Sequence, residues 1–100
     1  MKEITVHVLN NDIVITGPLV QDTVMGGLAQ CRPFLVSQQT RIFDFTHVTQ
    51  CDSASLAFAL ALLRAAKSQG CAIHFSHLPD QMRDLAQVSG VTAFLPIPIA

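Results

Sequence analysis

Asp52 and Ser53 stand side by side just ahead of a long Ala/Leu-rich stretch, and their side-chain oxygens are the first candidates for chemistry in this chain. A helix start leaves backbone N–H groups unpaired and carries the positive end of the macrodipole, so it favours an oxygen acceptor. On residue types alone the pair predicts a plain helix cap, which contributes about 1 kcal/mol whatever the protein does. Nucleophilic catalysis at Ser53 lacks a placed base. The histidines are not paired with carboxylates by any recognisable spacing, and Gly26-Gly27 is too short for a phosphate-cradling loop. His74 and His77 form an HxxH spacing with no acidic or cysteine ligand near them in sequence, and His74 reads as a strand residue, so no metal site is expected. Cys31, Cys51 and Cys71 are odd in number and widely spaced, which suits free thiols used as small packing residues. No cofactor is expected.

The elements that must position Asp52 and Ser53 follow from the hydrophobic pattern. Ile4, Val6 and Val8 alternate with polar residues, and after Asn10-Asn11-Asp12 the run Ile13-Val14-Ile15-Thr16 leads to Gly17-Pro18, a hairpin signature. Val20, Val24, Leu28, Cys31 and Leu35 repeat at a helical period and predict a helix from Val20 to about Val36, weakened by Gly26-Gly27 and Pro33. Arg41 to Phe45 reads as a strand and Thr46 to Cys51 as a loop. A capped helix follows from about Ser53 to Ser68 and stops at Gly70. Cys71 to Phe75 predicts another strand. Pro79 suits the first turn of a last helix that runs to Val88-Ser89 and ends at Gly90, and Phe94-Leu95 reads as a final brief strand.

This order predicts one α/β domain over residues 1–100: a mixed sheet of about four strands, with helices packed on at least one face. Half of the residues are hydrophobic and only 13% are charged, ample for one core and too short for two. The cations Lys2, Arg32, Arg41, Arg64, Lys67 and Arg83 are scattered, with no basic stripe to neutralise a row of phosphates, so no nucleic-acid partner is expected. The alternating amino terminus does not read as a secretory signal, and the apolar run Leu56 to Leu63 falls far short of the roughly 20 residues a membrane span needs. The expected location is the cytoplasm, with membrane association only through a partner. In open α/β sheets the functional crevice lies beyond the carboxyl ends of the strands, which singles out Thr46 to Ser55.

That segment, read as Asp44-Phe45-Thr46-His47-Val48-Thr49-Gln50-Cys51-Asp52-Ser53-Ala54-Ser55-Leu56, resembles the signature of STAS domains. That fold is shared by sulfate-transporter tails and anti-sigma factor antagonists. In the family a strand ending in Asp-Leu-Ser leads through a short loop to Asp-Ser or Asp-Thr at a helix start, then small residues and Leu. The likeness continues through Lys67-Ser68-Gln69-Gly70 into the next strand. The short length, the Ala/Leu-rich helix and Phe94-Leu95-Pro96 are most similar to the MlaB-type members, cytoplasmic subunits of phospholipid-transporting ABC systems. The resemblance implies a non-catalytic regulatory or assembly subunit that binds the transporter's ATPase, lying peripheral to the inner membrane through that partner. The alternative it implies is an anti-sigma factor antagonist whose partner is a kinase-like anti-sigma factor, with Ser53 as the phosphate acceptor. A phosphate there would place about two negative charges beside Asp52 and weaken docking.

The surface of the Ala/Leu-rich helix supplies a separate argument. On a helical wheel Leu56, Ala59, Leu60 and Leu63, extended by Leu62 and Ala66, fill an arc expected to face the sheet. Ala54, Ala57, Ala61 and Ala65 fall on another arc, bordered by Phe58, Arg64 and Ser68. Soluble helices usually spend their outer face on Lys and Glu, and this one has only Arg64 and Lys67, so a covering partner is the simpler account. The expected partner-binding residues are therefore Thr49, Gln50, Asp52, Ser53, Ala54, Ala57, Phe58, Ala61, Arg64 and Ala65.

Overall fold

The computed structural model describes residues 3–95. β1 (Thr5–Leu9) and β2 (Asp12–Leu19) pair antiparallel with Leu9 opposite Asp12, the hairpin that the sequence predicts. Its two-residue turn is made by Asn10 at φ 52° and Asn11 at φ 72°, a left-handed pair whose twist matches that of the strands. β3 (Thr40–Cys51) adds parallel to β2, and β4 (Ala72–Ser76) adds parallel to β3, giving a mixed sheet in the order β1-β2-β3-β4. The helices are α1 (Val24–Cys31), α2 (Ser53–Gln69) and α3 (Asp80–Val88).

One hydrophobic cluster joins these layers. Alternate strand positions share a face, and Ile13, Ile15, Phe43, Phe45, Ile73 and Phe75 supply the sheet side of the cluster. Cys31 of α1, Leu62 and Ala66 of α2, and Met82 and Ala86 of α3 supply the helix side. Phe45 sits at its centre, edge-on to Phe75 at 5.4 Å between ring centroids and to Phe58 of α2 at 6.4 Å. Burial pushes the Cys31 thiol up to about 12, which makes it an inert packing group. Cys51 and Cys71 are buried and free as well.

Three boundaries differ from the sequence reading. First, the segment Thr46 to Cys51 is strand: β3 keeps its parallel register with β2 as far as Leu19 opposite Cys51, interrupted by shifts between Val14 and Thr16 and between Gly17 and Pro18. Second, α1 begins at Val24, because the Thr23 hydroxyl accepts from the Val20 N–H at 3.0 Å and donates to the Pro18 carbonyl at 2.7 Å. These local bonds fold Val20 to Thr23 into a turn in place of helix. α1 then ends early, in a short 3-10 turn over Arg32–Phe34 that accommodates Pro33. Third, Phe94 belongs to a 3-10 turn, Thr92–Phe94, and not to a final strand, while Leu95 is buried against the core. Pro96 lies outside the described residues.

Gly70 ends α2 as predicted. It adopts the left-handed conformation at φ 70°, and the next N–H, from Cys71, donates back to the Ala66 carbonyl at 2.9 Å. Gly17, at φ 111°, lies against the Glu3 carbonyl so closely that a β-carbon has no room.

Candidate functional site

β2 and β3 run parallel and finish together, so the turn after β2 and the start of α2 share one end of the sheet. Asp52 joins them. Its backbone is extended, and one carboxylate oxygen accepts from the Ala54 N–H at 2.8 Å, the expected cap of α2. The other oxygen accepts from the Gln21 N–H at 3.2 Å, tying the β2–α1 turn to the same residue. The Asp52 carbonyl accepts from the Ser55 hydroxyl at 2.7 Å, and Ser55 is fully buried. One step before, the Cys51 thiol is buried and pushed up by that burial, and it donates to Gln81 of α3 at 3.6 Å. The strand-to-helix junction is thus fastened to α1's approach and to α3.

This fastening leaves Ser53 as the first residue of α2, exposed and beside a carboxylate whose two oxygens are already engaged. Thr49 and Gln50 are exposed near the end of β3. Of the helix residues, Ala57 and Arg64 are exposed and Ala54, Ala61 and Ala65 are half-buried. Phe58 is not a border of the outer face. It is 2% exposed and stacked edge-on against Phe45. Leu60 and Leu63, expected in the core, are only partly buried, and with Arg64 and Lys67 they line an open depression of about 300 Å³. The buried arc of α2 is therefore Ser55, Leu56, Phe58, Ala59, Leu62 and Ala66.

The alanines have a second neighbour. α1 packs along α2, and Val24, Met25 and Leu28 of α1 enclose, with Ala57, Phe58 and Ala61, a cleft of about 160 Å³ that is almost wholly apolar. The close approach of the two helices is at Gly27 of α1, where an added β-carbon would lie 3.4 Å from the Phe58 ring. The sequence reading missed this wall of the site. Its signal was Met25, a large apolar residue directly before Gly26-Gly27, which is 77% exposed at the rim of the cleft. It also missed Gln21 and Ser55, whose roles depend on contacts across the fold.

The charges are sparse here. α2 carries Arg64 and Lys67 and no Asp or Glu. Among the described residues the one ion contact is elsewhere, between His77 Nδ1 and Asp44 Oδ1 at 3.3 Å. Burial works to raise the Asp44 carboxyl, but hydrogen bonds from Thr46 and the nearby His77 outweigh it and hold the group below its usual range. The register sets His7 opposite Val14, His74 opposite Ile42 and His47 opposite Thr16. Those positions alternate with the core residues, so the histidines stand on the sheet face away from α2. Ser53 thus has an exposed hydroxyl at a helix start and no imidazole beside it, an arrangement suited to docking or modification. No helix among the described residues is long and apolar enough to cross a membrane.

Comparison with known proteins agrees with this geometry. The fold is similar to that of the anti-sigma factor antagonist SpoIIAA of Bacillus. In its unphosphorylated form the identity is 17% and the TM-score 0.67, covering 96% of this chain and 88% of that one. In its phosphorylated form the identity is 18% and the TM-score 0.65, covering 96% and 91%. An anti-sigma-factor antagonist (STAS) domain protein of Planctomyces limnophilus gives 14% identity and a TM-score of 0.71 over 95% of this chain and 88% of that one. The anion transporter SLC26A9 contains the same fold, at 15% identity and a TM-score of 0.64, with 86% of this chain aligned to 17% of that one. Comparison with curated protein sequences finds no match. Residues 11–96 match the family described as MlaB, STAS domain, and the chain belongs to that family.

Proposed function

We propose that this chain is a non-catalytic docking subunit of a bacterial phospholipid-transporting ABC system, one that maintains outer-membrane lipid asymmetry. It binds the cytoplasmic ATPase subunit through the end of β3, the Asp52-Ser53 cap and the outward side of α2. The observation that carries this reading is the outer surface of α2. Ser53 and Ala57 are exposed, the neighbouring cleft is apolar, and the only charges on the helix are Arg64 and Lys67. Such a surface gains by being covered, whereas a helix meant for solvent carries charge. The cap supplies rigidity, because Asp52 holds both the helix start and the adjacent turn in a fixed geometry. Membership of the MlaB STAS family supports the transporter as the setting.

A second reading is favoured by the exposed Ser53 hydroxyl itself. On it the chain is an anti-sigma factor antagonist, docking to a kinase-like anti-sigma factor and released when Ser53 is phosphorylated. The structural likeness to SpoIIAA in both phosphorylation states supports it. The added charge would face an already engaged Asp52 carboxylate, and a docked interface would have to desolvate both.

Purified chain titrated with the ATPase subunit of its own organism's phospholipid transporter, and in parallel with that organism's anti-sigma kinases plus ATP, separates the two. The transport reading predicts a stable complex with the ATPase and no phosphate on Ser53. A complex formed only with a kinase, and lost on phosphorylation of Ser53, would replace it with the second reading.

A further inference from the structure

β1 is the edge of the sheet, hydrogen-bonded to β2 on one side only. Along a strand the N–H and C=O of one residue point the same way and alternate from residue to residue. The side of β1 turned away from β2 belongs to Ile4, Val6 and Val8, as the contacts of Gln30 demonstrate. From α1, Gln30 Oε1 accepts from the Val6 N–H at 3.1 Å, and Gln30 Nε2 donates to the Ile4 carbonyl at 3.0 Å. A donor to one carbonyl and an acceptor for the N–H two residues later is the pair that a single residue of a neighbouring parallel strand would offer. The glutamine amide stands in for one rung of a missing strand.

Among the described residues, no other side chain is hydrogen-bonded to this edge. Exposed edges in soluble proteins are usually blunted by lysine, proline or a bulge. Thr5–Leu9 has no proline and no charged residue, its register with β2 is unbroken, and its β-branched sequence favours extended pairing. Val8 and Leu9 remain 49% and 55% exposed. We propose that Gln30 guards a latent self-pairing edge, holding β1 back from antiparallel addition to β1 of a second copy of this chain. A second copy is the fitting occupant because two identical edges meet around a two-fold axis and satisfy each other's backbone groups, joining two sheets into one. The guard works at Ile4 and Val6, where both rungs of such a pairing begin. Its anchor is α1, so the edge opens only when the Gln30 side chain swings aside.

The test uses the whole chain with Gln30→Ala and Gln30→Leu, the latter keeping the apolar stem. Mass is measured by sedimentation over a concentration series, and amide exchange is followed at Val6 and Val8. The unmodified chain is expected to remain at 10.8 kDa. Both variants are expected to approach twice that mass as concentration rises, with the Val8 amide newly protected. Adding Val8→Pro, which removes an outward N–H without touching the β2 ladder, is expected to return them to monomers. Variants that stay monomeric with native circular dichroism would overturn the proposal. So would a dimer insensitive to Val8→Pro, an unmodified chain already paired through β1, or loss of fold in both variants, which would make Gln30 a folding residue.

Discussion

The two sides of α2 are built from similar residues and used differently. Toward the sheet lie Ser55, Leu56, Phe58, Ala59, Leu62 and Ala66, all buried, and each has an evident task in packing or capping. Outward lie Ser53, Ala57, Arg64, Lys67 and Ser68, all exposed, with Ala57 at the edge of the cleft beside α1. The inner side is fixed by the core. The outer side carries little charge for a helix face open to solvent, and on the proposed function covering by another protein accounts for it.

Substitutions along this contrast should graduate in their effect on stability. The largest is expected at Leu62, fully buried against the sheet: Leu62→Ala leaves a cavity and should cost about 2–5 kcal/mol in urea unfolding. Next is the junction. Asp52→Ala removes the cap of α2 and the acceptor for Gln21 together, and should cost about 1–2 kcal/mol in the same assay. If Asp52→Ala matched the unmodified chain, the junction would not be the rigid element described above.

A smaller effect should depend on pH. The folded Asp44 carboxyl titrates below its ordinary 3.8, so between the two values the unfolded chain binds more protons than the folded one. The stability that Asp44 contributes is therefore complete above that ordinary value and lost as pH falls through the folded one. Asp44→Asn should lower the melting temperature modestly at pH 7, where that contribution is complete, and flatten its fall below about pH 4 so that the two proteins converge in acid. An unchanged acid slope would remove Asp44 from the account.

The cap and the end of α2 were legible in the sequence because both are local. Asp52 acts on a donor two residues away, and Gly70 is required by its own backbone conformation. The hairpin was legible for the same reason, through Asn10-Asn11. The rotation of α2 was not. A helical wheel gives the period of apolar residues but not which of two neighbouring arcs meets the sheet, and here Phe45 selected Phe58 while Leu60 and Leu63 turned toward the surface. The length of β3 was hidden as well, because Thr46 to Cys51 becomes strand only through its pairing with Gly17 to Leu19. Within the site, Asp52, Ser53 and Ala57 could be named from sequence. Gln21, Met25 and Ser55 could not, since each acquires its place from a contact between separate elements.

The smallest effect on the fold is expected at Ala57, and it is the most informative one. Ala57→Glu puts a charge on an exposed position and should shift unfolding by no more than about half a kcal/mol. In a complex covering the outer side of α2, the same charge would be desolvated and unpaired, a loss of several kcal/mol, or roughly a thousandfold in affinity. Calorimetric titration of the ABC ATPase subunit with the unmodified chain and with Ala57→Glu, alongside thermal melts of both, measures this directly. The account predicts superimposable melts and binding weakened by about a thousandfold. Binding of equal strength by the two proteins would contradict it.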